Sequence, residues 1–516
     1  MNDSNAEHDH APATETGRQD DVRRSVYESA IYLLSKIVPL VFTLLFIKFY
    51  TNWFSPEVVG RYETVMALGV VAASLGAGWL QMSLLRLYPQ WEKENRLGTL
   101  SLSVGIGLLA SLLGGAFIFL LVWSLRGTEL GLALHLDLIG WASLLFVSQS
   151  FFMIASTVLR AQRKAVWFSL ASSLTSLLNL VGGAGLTWIF GTLLVCLVCG
   201  TSLSLVVPGC LALALGVKAL SGGVSSSAET KLAARPGDGA NLGKCLAVLL
   251  SFGLPLSLNQ VCSQLLNLSD RYVILVLRGE AEAGIYSVTY RLADFAVRFV
   301  LLALMMSAYT AVTETYERKG REAAERLVSS LSRFYILTAA PVAVGIGLVQ
   351  QDAMRLFTGP DFIEGASLLV WIAAGDFLLG LSQYQHFGLH LGKRTVRLAV
   401  MTFSAALLNL GLNLAFVPVY GYRAAAYSTF VSFAFLAVVA PLLAKPWLTW
   451  RVRIVSMARI AVALIVMSLV VFACAFVSGR PLVRLPIQVV AGASAYLLAL
   501  LVSRELSWDL LRGFKA

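Results

Sequence analysis

Long apolar stretches separated by short polar breaks run through this chain from end to end. A helix needs about 20 apolar residues to cross a hydrocarbon core roughly 30 Å thick. Fourteen such windows can be drawn: 26–50, 58–85, 99–123, 131–159, 165–189, 192–216, 245–268, 284–309, 327–349, 363–389, 395–417, 421–442, 458–477 and 485–503. Several exceed the minimum length, which predicts tilted helices or helices that protrude from the bilayer. Runs such as FVLLALMMSAY are continuously apolar and lack the short alternation of a membrane β-barrel. The expectation is an all-α polytopic membrane protein.

Composition supports this reading. Of 516 residues, 57% are hydrophobic and 13% charged, too little polar surface for a water-soluble fold of this size. The basic clusters RAQRK, ERKGREAAER, GKRTVR and RVRIVSMAR follow even-numbered windows, while the exterior loops hold Arg126, Arg278, Arg355, Arg480 and Arg484. That asymmetry predicts cytoplasmic N- and C-termini. The net charge of +11 is then first a topology signal, and its dispersal over short loops argues against nucleic acid as a partner.

The Gly-, Ser- and Ala-rich segment 217–244 reads as a cytoplasmic linker. It divides the chain into a tail (1–25), a six-helix bundle (26–216), the linker, a second six-helix bundle (245–442) and two accessory helices with a C-terminal tail (443–516). The tail is polar and mixed in charge, without the basic start and apolar core of a signal peptide, so the first helix is expected to be an uncleaved anchor. Two segments echo one another across the linker. WFSPEVVGRYETV (53–65) and LRGEAEAGIYSVTY (277–290) each pass through an acidic turn to Gly-x-Tyr, Gly60-x-Tyr62 and Gly284-x-Tyr286. Since each half holds an even number of windows, the halves would be parallel repeats about an axis along the membrane normal.

No phosphate-binding loop, HExxH or GxSxG motif is present, and the exterior loops are short, so no catalytic centre is expected. Cys196-x-x-Cys199 reads as buried small residues and His8-Asp9-His10 as part of an acidic tail, so neither metal nor cofactor is predicted. Mechanism is better sought among charges inside the windows, each costing about 2.5–3.5 kcal/mol at the bilayer centre. In the eighth window Ser287, Arg291, Asp294 and Arg298 share one helix face, which is net cationic. The seventh, after Pro255, carries Asn259, Ser263, Asn267 and Asp270, with Gln260, Gln264 and Arg271 beside them. The tenth places Asp376, Gln383, His386 and His390 at helical spacing. Glu28, Lys36, Arg61, Glu63 and Gln81 in the first half are scattered and carry less weight.

The segment LNLSDRYVILVLRGEAEAGIYSVTYRLADF (266–295) resembles the seventh-to-eighth span region of the polysaccharide-transport proteins, the lipid-linked oligosaccharide flippases of Wzx type, in which an Asp-Arg pair precedes a short turn and Gly-x-Tyr-Ser. FSPEVVGRYETV (54–65) and VPVYGYRAAAYSTFVS (417–432) resemble other hairpins of the same family. The resemblance implies the multidrug, oligosaccharidyl-lipid and polysaccharide exporter fold, two bundles in a V with alternating access. It implies a bacterial inner-membrane flippase for undecaprenyl-pyrophosphate-linked oligosaccharide, serving O-antigen or exopolysaccharide synthesis beside a polysaccharide polymerase and chain-length machinery.

Under that reading Arg291, Arg298, Arg271, Asn259, Asn267 and Gln264 form a hydrated substrate cavity, Arg offering forked donors to a pyrophosphate. Asp294, Asp270, Asp376 and His386 are candidates for ion coupling. The structural alternative is that Asp294 pairs with one arginine while the other snorkels. Competing functions are a lipid II flippase, an ion-coupled drug exporter, disfavoured because a cationic cargo needs acidic walls, and a membrane polymerase or ligase. The last two windows carry no interior charge and are expected to pack outside both bundles, facing lipid or a polyprenyl tail and lining no polar cavity.

Overall fold

The computed structural model describes residues 38–93, 97–133, 135–222, 238–449, 451, 453–476 and 480–505. Every regular element among them is helical. In lipid the backbone amides and carbonyls must bond within their own segment, and a helix meets that demand without a neighbour. The helices are α1 (Val38–Trp53), then α2 (Pro56–Gly76), α3 (Gly78–Lys93), α4 (Leu97–Ser124), α5 (Glu129–Ala133), α6 (Leu138–Ala161), α7 (Ala165–Phe190) and α8 (Leu194–Gly222). After the linker come α9 (Asp238–Arg278), α10 (Glu280–Leu348), α11 (Gln350–Phe357), α12 (Leu369–Leu391), α13 (Thr395–Tyr420), α14 (Tyr422–Ala444), α15 (Ile454–Ala475) and α16 (Pro481–Val502).

Among the described residues 11 helices are long and apolar enough to cross a membrane, or 12 when the bent α9 is one span. Two further windows of the fourteen fall on α1, whose expected start lies outside the described residues, and on the first part of α10, which carries Arg291, Asp294 and Arg298. Residues 1–25 also lie outside them, and with them the expected tail and His8-Asp9-His10. Large side chains such as Phe117, Trp188, Val462 and Phe472 stay exposed, as helices facing hydrocarbon require.

Three boundaries differ from the sequence expectation. The second window is two helices, broken at Ala77. The eighth and ninth windows belong to one 69-residue helical run, α10, interrupted at Gly320, whose φ of 79° a β-carbon would strain. The intervening loop is helical because ion pairs at i,i+4, Glu314–Arg318 at 3.0 Å and Arg321–Glu325 at 2.8 Å, support the turns outside lipid. At the linker, α8 and α9 extend inward from both sides, and residues 223–237 between them fall outside the described set. Around Pro255, α9 bends by 43° between Leu254 and Ser257, as a missing amide donor permits.

Packing follows a recurring pattern. In the first half α2 lies on α6, α6 on α8 and α8 on α7; in the second, α10 lies on α12, α12 on α14 and α14 on α13. The seam between them is α2 and α3 against α9, and α2 against α10. Helices α15 and α16 pack on each other, with α15 on α10 and α16 on α11, where Arg484 pairs with Asp352. Contrary to expectation, the first turn of α15 does border a polar recess, because Arg453, Ser456 and Arg459 precede its apolar stretch.

Candidate functional site

Where α2 crosses α10, the two echoed glycines meet. A β-carbon on Gly60 would overlap the Glu280 carbonyl, and one on Gly284 would overlap the Pro56 carbonyl. Backbones approach this closely only where a side chain is absent. Around the crossing, Arg61 pairs with Asp137 at 2.7 Å and lies 3.5 Å from Glu280. Lys48 donates to the Thr358 carbonyl at 2.7 Å, and the Gly359 amide donates to Thr51 Oγ1 at 3.0 Å. The halves are thus fastened together at this end.

Two residues beyond the crossing on each helix, Tyr62 and Tyr286 are both fully buried. Tyr62 shares a hydrogen bond with Thr201 on α8 at 2.8 Å. Tyr286 donates at 2.5 Å to Asp270 on α9, which also accepts from Thr429 on α14 at 2.8 Å. The repeated tyrosine thus anchors its own half in each case.

Deeper still lies a charged cluster. Arg291 on α10 donates to Glu63 on α2 at 2.6 Å, and Glu63 also accepts from Tyr50 at 3.1 Å. Arg298 pairs with Asp294 at 2.6 Å, lies 4.0 Å from Asp376 on α12 and donates to Asn267 on α9 at 3.3 Å. Arg271, buried on α9, sits 5.3 Å from the Tyr290 ring centroid, a cation–π contact. The structure thus brings together Arg271, Arg291, Arg298, Asn267, Asp270, Asp294 and Asp376. Gln264 is half-buried on α9. Asn259 lies about 16 Å along α9 from Asp270, and His386 about 15 Å along α12 from Asp376, at 1.5 Å per residue.

The local pairing expected of Asp294 is present for Arg298, but Arg291 neither shares it nor snorkels; it reaches across the seam. Glu63, which the sequence left among scattered charges, becomes the most deeply placed partner, at 1% exposure. Its one signal was position, three residues after Gly60 on the echoed segment. The cluster as a whole holds carboxyl groups as well as arginines. Arg271, Arg291 and Arg298 face Glu63, Asp270, Asp294 and Asp376, because α2, α9 and α12 contribute acids to the α10 face.

Several buried polar atoms here have no protein hydrogen-bond partner: both carboxylate oxygens of Asp376, Oδ1 of Asp270, Tyr290 Oη and Arg271 Nε. Buried polar groups ordinarily find partners, so these atoms give this part of the interior capacity for water, ions or a polar ligand. No group of three or more His, Cys, Asp or Glu suited to a metal occurs among the described residues. Cys196 is buried and directs its thiol to the Gly191 carbonyl at 3.3 Å.

The geometry can be compared with known proteins. No curated protein matches the chain by sequence. The solved structure of the lipid II flippase MurJ, in an inward closed conformation, superposes with a TM-score of 0.69 at 18% identity, covering 93% of this chain and 99% of that one. An inward-facing multidrug resistance MATE family transporter of the MOP superfamily gives 0.55 at 17% identity, covering 81% and 97%. An outward-facing one gives 0.51 at 19%, covering 81% and 94%. At these identities the likeness establishes the fold. A family model described as polysaccharide biosynthesis protein matches residues 24–314, through both echoed segments and the part of α10 that carries Arg291, Asp294 and Arg298. With more than half its length matched there, on a fold shared with transporters of the MOP superfamily, this chain belongs to the polysaccharide biosynthesis protein family.

Proposed function

We propose that the protein is a flippase that moves undecaprenyl-pyrophosphate-linked oligosaccharide across a bacterial inner membrane for O-antigen or exopolysaccharide synthesis, without catalysing a covalent step. The observation that carries this reading is the set of three arginines inside an apolar bundle, one of which, Arg291, pairs across the seam of the two halves, all within the region matched to the polysaccharide biosynthesis family. Burying arginine is costly, and forked donors at a seam that opens suit a pyrophosphate. The recurring packing of α2, α6, α7 and α8 in α10, α12, α13 and α14, and the Gly60–Gly284 contact, support two repeats that rock against one another. Alternating access then means breaking the outer fastening while the inner end closes.

In this arrangement Arg298 is the better phosphate ligand. Its carboxylate partner lies on its own helix and travels with it, whereas Arg291 is held by the opposite half. Asp376 and Asp270, with unpartnered oxygens, are the ion-coupling candidates.

The test is deletion of the gene with complementation. The expected result is loss of surface polysaccharide and accumulation of the lipid-linked repeat unit on the cytoplasmic side. Loss of peptidoglycan synthesis instead would identify a lipid II flippase, which the MurJ-like fold accommodates. Loss of cationic-dye efflux with intact polysaccharide would identify a drug exporter, a reading to which the carboxyls beside the arginines lend weight. At matched abundance, Arg298→Ala should abolish export and Arg298→Lys restore part of it, since Lys keeps the charge but not the fork. Asp294→Asn should spare binding more than turnover. Normal polysaccharide in Arg298→Ala cells would remove this residue from the substrate site.

A further inference from the structure

A second cluster of arginines lies far from the seam, where α10 passes the foot of α15. A recess of about 900 Å³ is lined there by Glu322, Glu325, Arg326, Arg333, Arg451 and Arg453, with Ser329, Ser330 and Thr449. A second recess of about 520 Å³ shares Arg333 and Arg453 and adds Ile454, Val455, Ser456, Arg459 and Glu505. The transport mechanism uses none of these groups.

The acids in these recesses are already engaged. Glu505, almost fully buried, is bound by Ser456, by Arg333 at 2.6 Å and by Arg459 at 3.4 Å. These partners outweigh the effect of burial and hold its carboxyl below the ordinary glutamate range. Glu325 is held by Arg321 at 2.8 Å and accepts the Thr449 amide at 2.9 Å. Only exposed Glu322 approaches Arg326, at 4.0 Å. The segment carrying Arg451 is pinned through its backbone, whose amide donates to Ser329 at 3.2 Å, leaving the side chain free. Neither Arg451 nor Arg453 has a carboxylate partner among the described residues.

The recess also has an apolar edge. Ile454 and Val455, at the start of α15, line the second recess and are 86% and 62% exposed. Guanidinium forks above a bare aliphatic rim match a molecule with a phosphate head and a hydrocarbon tail, at the level where head groups meet acyl chains. A soluble phosphate compound would have no use for that rim. We propose that this recess binds the phosphate of an acidic phospholipid in the leaflet at that face, Arg451 and Arg453 holding the head group and Ile454 and Val455 bordering its chains. The site is independent of the cargo at the seam. It would tie the accessory pair α15 and α16 to the segment of α10 that follows Gly320.

The full chain, purified, is titrated with phosphatidylglycerol and with phosphatidylcholine in detergent and read by native mass spectrometry. In parallel, thermal midpoints are compared in phosphatidylcholine nanodiscs with and without phosphatidylglycerol. The wild type should prefer phosphatidylglycerol. The double variant Arg451→Gln, Arg453→Gln should bind it about tenfold more weakly or worse, with the double Lys variant in between. Inorganic phosphate should not compete. Equal binding by the wild type and the Gln variant, or equal binding of the two lipids, would overturn the proposal. So would competition by inorganic phosphate, which would assign the recess to a soluble ligand. Should the double variant fail to fold, Arg451→Gln alone is read by the same criteria.

Discussion

Exchanging the charges of Glu63 and Arg291, as Glu63→Arg with Arg291→Glu, should restore the membrane abundance that either single change loses. Removing one partner of a buried ion pair leaves the other charge uncompensated, at about 3–5 kcal/mol. Glu63, at 1% exposure, is the more sensitive site. Abundance measured by quantitative blotting should therefore fall most in Arg291→Ala, recover in the swap, and recover also in Glu63→Gln with Arg291→Gln. Export separates two roles for the pair. If it serves only to fasten α2 to α10, the swap restores polysaccharide as well as abundance. If Arg291 also meets the pyrophosphate once the seam opens, the swapped protein is abundant and inactive, because a carboxylate now stands where phosphate must bind. Single variants at wild-type abundance would refute the fastening itself.

Valine at Gly60 or Gly284 should drive the outer ends of the halves apart. The β-carbon has no room against the facing carbonyl, and the helix backbones on both sides cannot yield as a flexible side chain would. Overpacking of this kind costs about 1–3 kcal/mol, which shifts a two-state equilibrium about 5- to 150-fold. In a variant freed of its six native cysteines, Ser287→Cys on α10 reports the shift, since Ser287 is fully buried below the crossing. Labelling of this cysteine by an impermeant maleimide added from outside should be slow in the glycine parent and severalfold faster in Gly284→Val. Export should fall in parallel, because the protein can no longer close its outer end. Unchanged labelling with unchanged export would show that the crossing does not gate the seam.

The drug-exporter alternative rests on a specific discrepancy between local and tertiary charge. Read along α10, the face is cationic, and an acidic cargo follows. Read across the bundle, Glu63, Asp270 and Asp376 join Asp294, and the same space holds more acids than arginines. We favour acids that carry a coupling ion beside arginines that carry the cargo, since Asp376 and Asp270 retain unpartnered oxygens while Arg291 and Arg298 each keep a defined carboxylate.

The sequence by itself determined the properties that depend on neighbours along the chain. Whether a segment enters lipid is settled by some 20 consecutive side chains, so the helical, membrane-spanning character of the chain was legible. So was the α10 stripe, because residues three and four apart share a helix face whatever surrounds them. The Gly-x-Tyr echo was legible as a pattern, and it fell where two backbones touch. The tertiary structure alone decided what the charges meet. Glu63 and Arg291 lie 228 positions apart, and no periodicity relates residues on helices brought together only by packing. The same holds for the acids gathered around the α10 arginines and for the recess at Arg451 and Arg453, where a basic cluster that served as a topology signal becomes a pocket because Glu505 returns from the far end of the chain to occupy the neighbouring arginines.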